Sequence, residues 1–434
     1  MIPFAVIVVF LLWFFCYYIK TSRPFAGTIE WAERKLEKPR FSFVRHPMER
    51  KDILPVIIIA VVFSAIAFSQ LQTRLPLEFL YGDFVVFTNP LLQLVFPLPV
   101  GLGLGAAMVV VLYLFIKNLF GKTPIAVCGT ILAGPVFMHL QVSHLTRDNL
   151  SALFILLSFY FMYRFITADP EARFCRHSLV PLALSGIIFG VGTAFSWTVL
   201  YAGVGLLALF IIRLCLLSRA DIDDSLKYRR KSILYFILFF IIVPVKLYWL
   251  SYIPYGVAEV SSVRDGLLWN GEFYRLIWND HLSRFAYSQL WVRVNLAGLW
   301  RWLFDIQPVF YRSTRELLLT YINPFVWLGG FMAIIAMVAR TAKFRDGAAL
   351  VILIGYVSQL LPWVMPMPAG FFVLINLSGA LFSILALCSV FNVVYERGKS
   401  RGRGAVYIYT ILSAAVFLTF CILIIVLDSG LWFF

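Results

Sequence analysis

Arg74, Glu78 and Asp83 fall in one short stretch, Gln72–Asn89 (QTRLPLEFLYGDFVVFTN), with bilayer-length apolar runs on both sides. Polar groups held at a membrane edge are costly and mark functional positions. A carboxylate here could take the proton of an attacking hydroxyl, and Arg74 could face an anion. Glu78 and Asp83 are therefore the candidate bases. A second cluster lies in the turn VSHLTRDN, Val142–Asn149, where His144, Arg147 and Asp148 stand together. Arg147 has the planar fork that grips phosphate. A plainer account is equally open: Asp148 complements the dipole of the next helix, and Arg147 snorkels to headgroups.

The elements that must position these groups are membrane spans. The chain has 434 residues, 61% hydrophobic and only 14% charged, where soluble domains carry about 25% charge. Apolar runs of about 20 residues fit helices crossing the hydrocarbon. The shorter alternating segments of a β-barrel are absent from the sequence. The expected fold is an all-α polytopic membrane protein of eleven or twelve spans. The runs are Ile2–Ile19, Ile53–Leu71, Val95–Lys117, Thr123–Ser143, Asp148–Thr167, Leu179–Trp197, Thr198–Leu217, Ser232–Leu250, Ile322–Arg340, Gly347–Trp363, Gly370–Val394 and Ala405–Leu427. Thr123–Ser143 is the weakest of these spans: it contains Gly134–Pro135, which leaves a broken or re-entrant form open beside a continuous one.

The net charge of +15 is distributed as a topology signal and not as a nucleic-acid patch. With an external N-terminus, the basic clusters after the first, third, fifth, seventh, ninth and eleventh spans all face the cytoplasm. Four regions result: an anchor helix and basic segment (1–52), an N-terminal transmembrane module (53–250), an external loop (251–321) and C-terminal helices (322–434). In the external loop, Trp269, Phe273 and Ile277, then Tyr287 and Trp291, have partial helical spacing. This spacing predicts short amphipathic helices lying on the membrane.

Other motifs carry less. GLGLG at 101–105 sits inside a span with no strand before it, so it fits helix packing better than phosphate binding. Asp221, Asp223 and Asp224 fall in a charged cytoplasmic loop without α/β context. The five histidines show no metal-ligand spacing, so no metal is expected. The six cysteines accompany apolar runs, and none of them lies in the external loop.

Several stretches taken in order resemble the protein O-mannosyltransferase family, within the polytopic GT-C class of glycosyltransferases. They are VSHLTRDN with LSALFILLSFYFMYRF (150–165), GIIFGVGTAFSWTVLY (186–201), YWLSYIP (248–254), WRWLFDIQPVFY (300–311), YINPFVWLGG (321–330) and GYVSQLLPW (355–363). The resemblance implies a GT-C-type bundle that moves a sugar from a polyprenyl-phosphate carrier to an acceptor hydroxyl at the external face. No cofactor is implied beyond the lipid-linked donor. In this scheme Glu78 or Asp83 is the base, and Arg147, with Arg74, His144 and Asp148, handles the phosphate. Trp197, Gln359 and Trp363 line the pocket. The implied partners are membrane lipid, the polyprenyl-phosphate sugar, and a protein acceptor or homologous subunit.

The chain departs from the family at three site elements. Glu78 and Asp83 do not form the family's Asp-Glu pair. Ser196 precedes Trp197 where the family has Lys. MPMPAGFFVLIN (365–376) lacks the family's Arg and Tyr-His pair. These changes set up an alternative: a catalytically silent GT-C-like subunit that binds a partner enzyme or a lipid-linked sugar. With no accessible glycosylation sequon in the external loops and no retention tail, a bacterial plasma membrane is the expected location, and the endoplasmic reticulum is the alternative.

Overall fold

A computed structural model describes residues 2–22, 41–69, 98–142, 146–168, 175–196, 198–219, 225–259, 266, 270–282, 309–312, 317–320, 323–364 and 372–428. Each of the twelve expected spans has a helix at its place. These are α1 (Ile2–Ser22), α2 (Ile53–Ser69), α3 (Leu98–Phe120), α4 (Thr123–Val142), α5 (Thr146–Ile166), α6 (Cys175–Phe195) and α7 (Thr198–Arg219). The next, α8, runs from Ser225–Ile237 through a π-helical turn, Leu238–Ile242, into Val243–Leu250. After the external loop come α11 (Pro324–Phe344), α12 (Gly347–Val364), α13 (Phe372–Arg397) and α14 (Lys399–Asp428). The protein is a helical, multi-pass membrane protein.

The span Thr123–Ser143, open to a break at Gly134–Pro135, is the continuous helix α4; membrane helices tolerate such residues where neighbours and local adjustment re-satisfy the backbone. The all-α bundle is as expected, and the loop between α8 and α11 adds a small antiparallel hairpin, β1 (Val309–Arg312) with β2 (Leu317–Thr320), which pairs Val309 with Thr320 and Arg312 with Leu317. The external loop also holds α9 (Ile253–Glu259) and a helix over 271–282, here α10.

The centre of the bundle is α13, whose spanning window is 78% buried. It packs against α1, α4, α5, α11, α12 and α14. At the periphery, the α8 window is only 11% buried and leans chiefly on α6. Its open apolar side chains, Leu234, Ile241 and Val245 among them, face lipid. Small residues bring α6 and α8 together: a Cβ on Gly186 would stand 2.7 Å from the carbonyl oxygen of Phe239. Phe239 lies in the π turn just before Pro244. That proline lacks an N–H and would crowd the carbonyl four residues back, which a widened turn accommodates.

The end read as cytoplasmic is laced by the strap 41–52. Gly347 N–H donates to the Ser42 carbonyl (3.0 Å), and His46 N–H donates to the Asn118 carbonyl (3.0 Å). The Tyr163 hydroxyl donates to the Val44 carbonyl. The strap ends in a buried ion pair. Lys117 Nζ lies 3.1 Å from Asp52 Oδ2, with both side chains 0% exposed. Tyr113 (3.0 Å) and Thr123 (2.6 Å) donate hydroxyls to Asp52 Oδ1. Burial pushes the Asp52 carboxyl up, but the bonds from Thr123, the Glu49 backbone, Lys117 and Tyr113 outweigh it and hold it below its usual range.

Candidate functional site

The ends of α5, α7, α12 and α13 that the charge pattern reads as external are where the predicted site residues must come together. Arg147 and Asp148 are the second and third residues of α5, two residues further into the helix than expected because α5 begins at Thr146. This puts Asp148 in the first turn, where a carboxylate complements the helix dipole. Gln359 and Trp363 stand one turn apart near the outer end of α12. Between these helices runs α7, which packs on both. The contact is close: a Cβ on Gly205 of α7 would meet Phe159 of α5 and Ser358 of α12, each at 2.9 Å.

That contact sets depth. At a rise of 1.5 Å per residue, Arg147 stands about 18 Å further out along α5 than Phe159, which is level with Ser358. By the same rule Gln359 lies about 8 Å inside the end of α12. The Gln359 side chain is buried, and both ends of its amide are engaged. Ser378 Oγ on α13 donates to Oε1 (2.8 Å), and Nε2 donates to Ser358 Oγ (3.1 Å), which itself donates to the Gly355 carbonyl (2.7 Å). This trio joins α12 to α13 beneath the external face. Arg74, Glu78, Asp83, His144 and Trp197 lie outside the described residues. Ser196, in the position before Trp197, is 3% exposed, and its N–H donates to the Gly192 carbonyl.

A second external cluster was not anticipated from the sequence. Tyr248, near the end of α8, and Tyr252, just beyond it, sit one helical turn apart and face α10. Tyr252 Oη donates to Asp280 Oδ2 (2.8 Å). Tyr248 Oη lies 2.9 Å from His281 Nε2 and 3.3 Å from Tyr252 Oη. His281 Nδ1 is bonded to the Ile277 carbonyl. A carbonyl only accepts, so Nδ1 carries a proton. In the neutral ring Nε2 then accepts from Tyr248, whereas in the charged ring the donors run in sequence from His281 to Tyr248, Tyr252 and Asp280. Burial pushes the Tyr252 phenol well above its usual range, and Tyr248 and Asp280 push it further. The four groups form a bonded carboxylate–imidazole chain at the external face. The signal available in sequence was the Tyr-x-x-x-Tyr spacing in YWLSYIP followed by Asp280-His281, 28 residues beyond Tyr252.

Residues 93–249 match the family model of dolichyl-phosphate-mannose-protein mannosyltransferases, a segment that takes in α3 to α8. Over that segment the chain is similar to those membrane mannosyltransferases. The resemblance read from VSHLTRDN and GIIFGVGTAFSWTVLY, both inside the segment, is thereby borne out. No curated protein sequence matches the chain. Among solved structures it aligns with the archaeal oligosaccharyltransferase AglB from Archaeoglobus fulgidus in complex with an inhibitory peptide and a dolichol-phosphate. That alignment has 13% identity and a TM-score of 0.39, covering 94% of this chain and 55% of that one. It also aligns with the apo form of the Archaeoglobus fulgidus oligosaccharyltransferase, with 12% identity, a TM-score of 0.40 and coverage of 97% and 55%. The chain thus spans little more than half the length of those two proteins.

Proposed function

We propose that this protein is a membrane glycosyltransferase that takes a sugar, mannose in this reading, from a polyprenyl-phosphate carrier. The sugar passes to an acceptor hydroxyl at the external face. The family match over α3–α8 is the observation that supports this reading, because it contains the Arg147 turn at the external end of α5. In this mechanism Glu78 or Asp83 removes the acceptor's proton as the sugar carbon is attacked. Arg147, with Arg74 and His144, neutralises the carrier phosphate as it departs. Asp148 belongs to the same phosphate-handling turn, and Trp197 and Trp363 bound the pocket. Gln359 acts from beneath, holding α12 against α13 through Ser378. Nothing beyond the lipid-linked donor is consumed, and the membrane is a bacterial plasma membrane.

The test is transfer of radiolabelled sugar from polyprenyl-phosphate mannose in membranes carrying the chain. General-base catalysis contributes about 10²–10⁴-fold, so Glu78→Gln combined with Asp83→Asn should lower transfer by at least about 100-fold. Unchanged transfer would remove these carboxylates from the mechanism. A second reading, a silent subunit for an active homologue, is favoured by the buried Ser196 standing where the family has Lys. Its signature is co-purification with an active transferase and no transfer by the isolated chain.

A further inference from the structure

α10 has more apolar surface than its contact with the protein uses. Phe273 is 0% exposed and packs with Tyr252, while Leu276 and Ile277 join the same cluster beside Tyr248, Trp249 and Ile253. Asp280 and His281 on this side carry the bonds to Tyr252 and Tyr248. The sequence spacing had assigned Phe273 and Ile277 to the membrane, but they face the protein. A different stripe is exposed: Trp278 and Leu282, at 65% and 50%, with Tyr274, at 43%, at its edge beside Trp249. These follow one another every four residues and so share a face. At about 100° per residue the stripe lies between the protein-facing arc and a polar arc of Glu272, Arg275 and Asn279, all exposed. The helix therefore has three faces: one against α8, one apolar and open, one polar.

What covers the open face follows from where α10 sits. It packs on the last turn of α8 and the residues just beyond, where the lipid-facing surface of α8 continues outward through Val245 and Leu250. Lys246 is exposed on this surface. A lysine facing lipid extends its ammonium to the headgroups, which places the headgroup layer at the level of α10. Tyr and Trp concentrate at that layer, apolar ring inward and polar atom toward water.

We propose that α10 is an outer-leaflet anchor. Tyr274, Trp278 and Leu282 lie among the lipid headgroups and upper chains, while Phe273, Ile277 and Asp280 clamp the helix to the end of α8. The anchor fixes the start of the external loop at the membrane surface, on the face of the proposed transfer reaction. It goes beyond the transferase reading and holds for an active enzyme and a silent subunit alike.

The test places a photoreactive benzoylphenylalanine singly at 274, 278, 282, 272, 275 and 279 of the full chain, in nanodiscs of phosphatidylethanolamine and phosphatidylglycerol. After illumination, adducts are read by mass spectrometry. Phospholipid adducts at 274, 278 and 282, at least tenfold above those at 272, 275 and 279, are the expected result. Protein cross-links at 278 would overturn the proposal in favour of a docked partner, and equal adducts on both arcs would overturn it outright. A readout with no bulky substituent guards against misfolding. Lipids brominated near the headgroup should quench tryptophan fluorescence less in Trp278→Phe than in the unaltered chain, and equal quenching contradicts the anchor.

Discussion

At the cytoplasmic end, Asp52 and Lys117 meet as ions without solvent exposure, and the strap 41–52 closes over the ends of five helices. At the external end, the join between α8 and α10 runs through two phenols, Tyr248 and Tyr252, placed between Asp280 and His281. The first arrangement is costly to half-remove, because a lone buried charge remains. The second can lose one bond and leave its one carboxylate, Asp280, half-buried and within reach of water. This difference fits the proposed function, in which the side read as cytoplasmic is a fixed base and transfer takes place on the other. Stiff ionic closure belongs where nothing needs to move, and elements near substrate are drawn from the less stable end of a fold.

The comparison can be broken first at the ion pair. Lys117→Met should cost about 3–5 kcal/mol, the penalty for stranding a buried carboxylate. Thermal unfolding in detergent reads this loss, and adding Asp52→Asn should recover most of it. If the single variant melts like the unaltered chain, the cytoplasmic lock is not a lock. The external join should respond less. Tyr252→Phe removes one bond to a charged group and should cost about 1.5–3 kcal/mol locally. The expected readout is faster hydrogen exchange over 271–282 with exchange over 41–52 unchanged. A change spread over both ends would mean that the two closures are one unit.

Acid sharpens the contrast in the opposite order. The Asp52 carboxyl is depressed in the fold, so its contribution is complete above the unfolded value and is lost as pH falls through the folded one. The stability lost in Asp52→Asn, read by thermal unfolding in detergent beside the unaltered chain, should therefore stay constant down to about pH 4 and shrink below it. Shrinkage already at pH 6 would contradict the assignment. The smallest expected effect lies inside the bundle. Ser378→Ala leaves Gln359 Oε1 without its donor and should cost about 1–3 kcal/mol, while transfer per folded molecule stays near normal. A specific loss of transfer would instead place Gln359 against the donor.

The helices were legible because each is a run of apolar residues bounded by charge, and the bilayer allows such a run few other structures. α4, the span whose sequence left a break open, is whole because Gly134–Pro135 breaks a helix in water more readily than in a packed membrane bundle. The external loop was much less legible. Apolar residues cover most of the circumference of α10, so spacing alone did not say which stripe meets protein; Phe273 and Ile277 were given to the wrong neighbour. The strands Val309–Arg312 and Leu317–Thr320 are four residues each, too short to show alternation. The Tyr252–Asp280 bond spans 28 residues, and only the folded chain reveals it. Of the candidate site, Gln359 is seen with its side-chain partners, and Arg147, Asp148 and Trp363 are placed by their backbone.

The most direct measurement is made on the purified chain alone, reconstituted into liposomes with polyprenyl-phosphate mannose labelled in the sugar and a hydroxyl-bearing acceptor peptide on the external side. The account predicts label in the peptide and its loss in the Glu78→Gln, Asp83→Asn double variant. No label from a folded chain that still binds the carrier, with transfer restored only when an active homologue co-purifies, would contradict it.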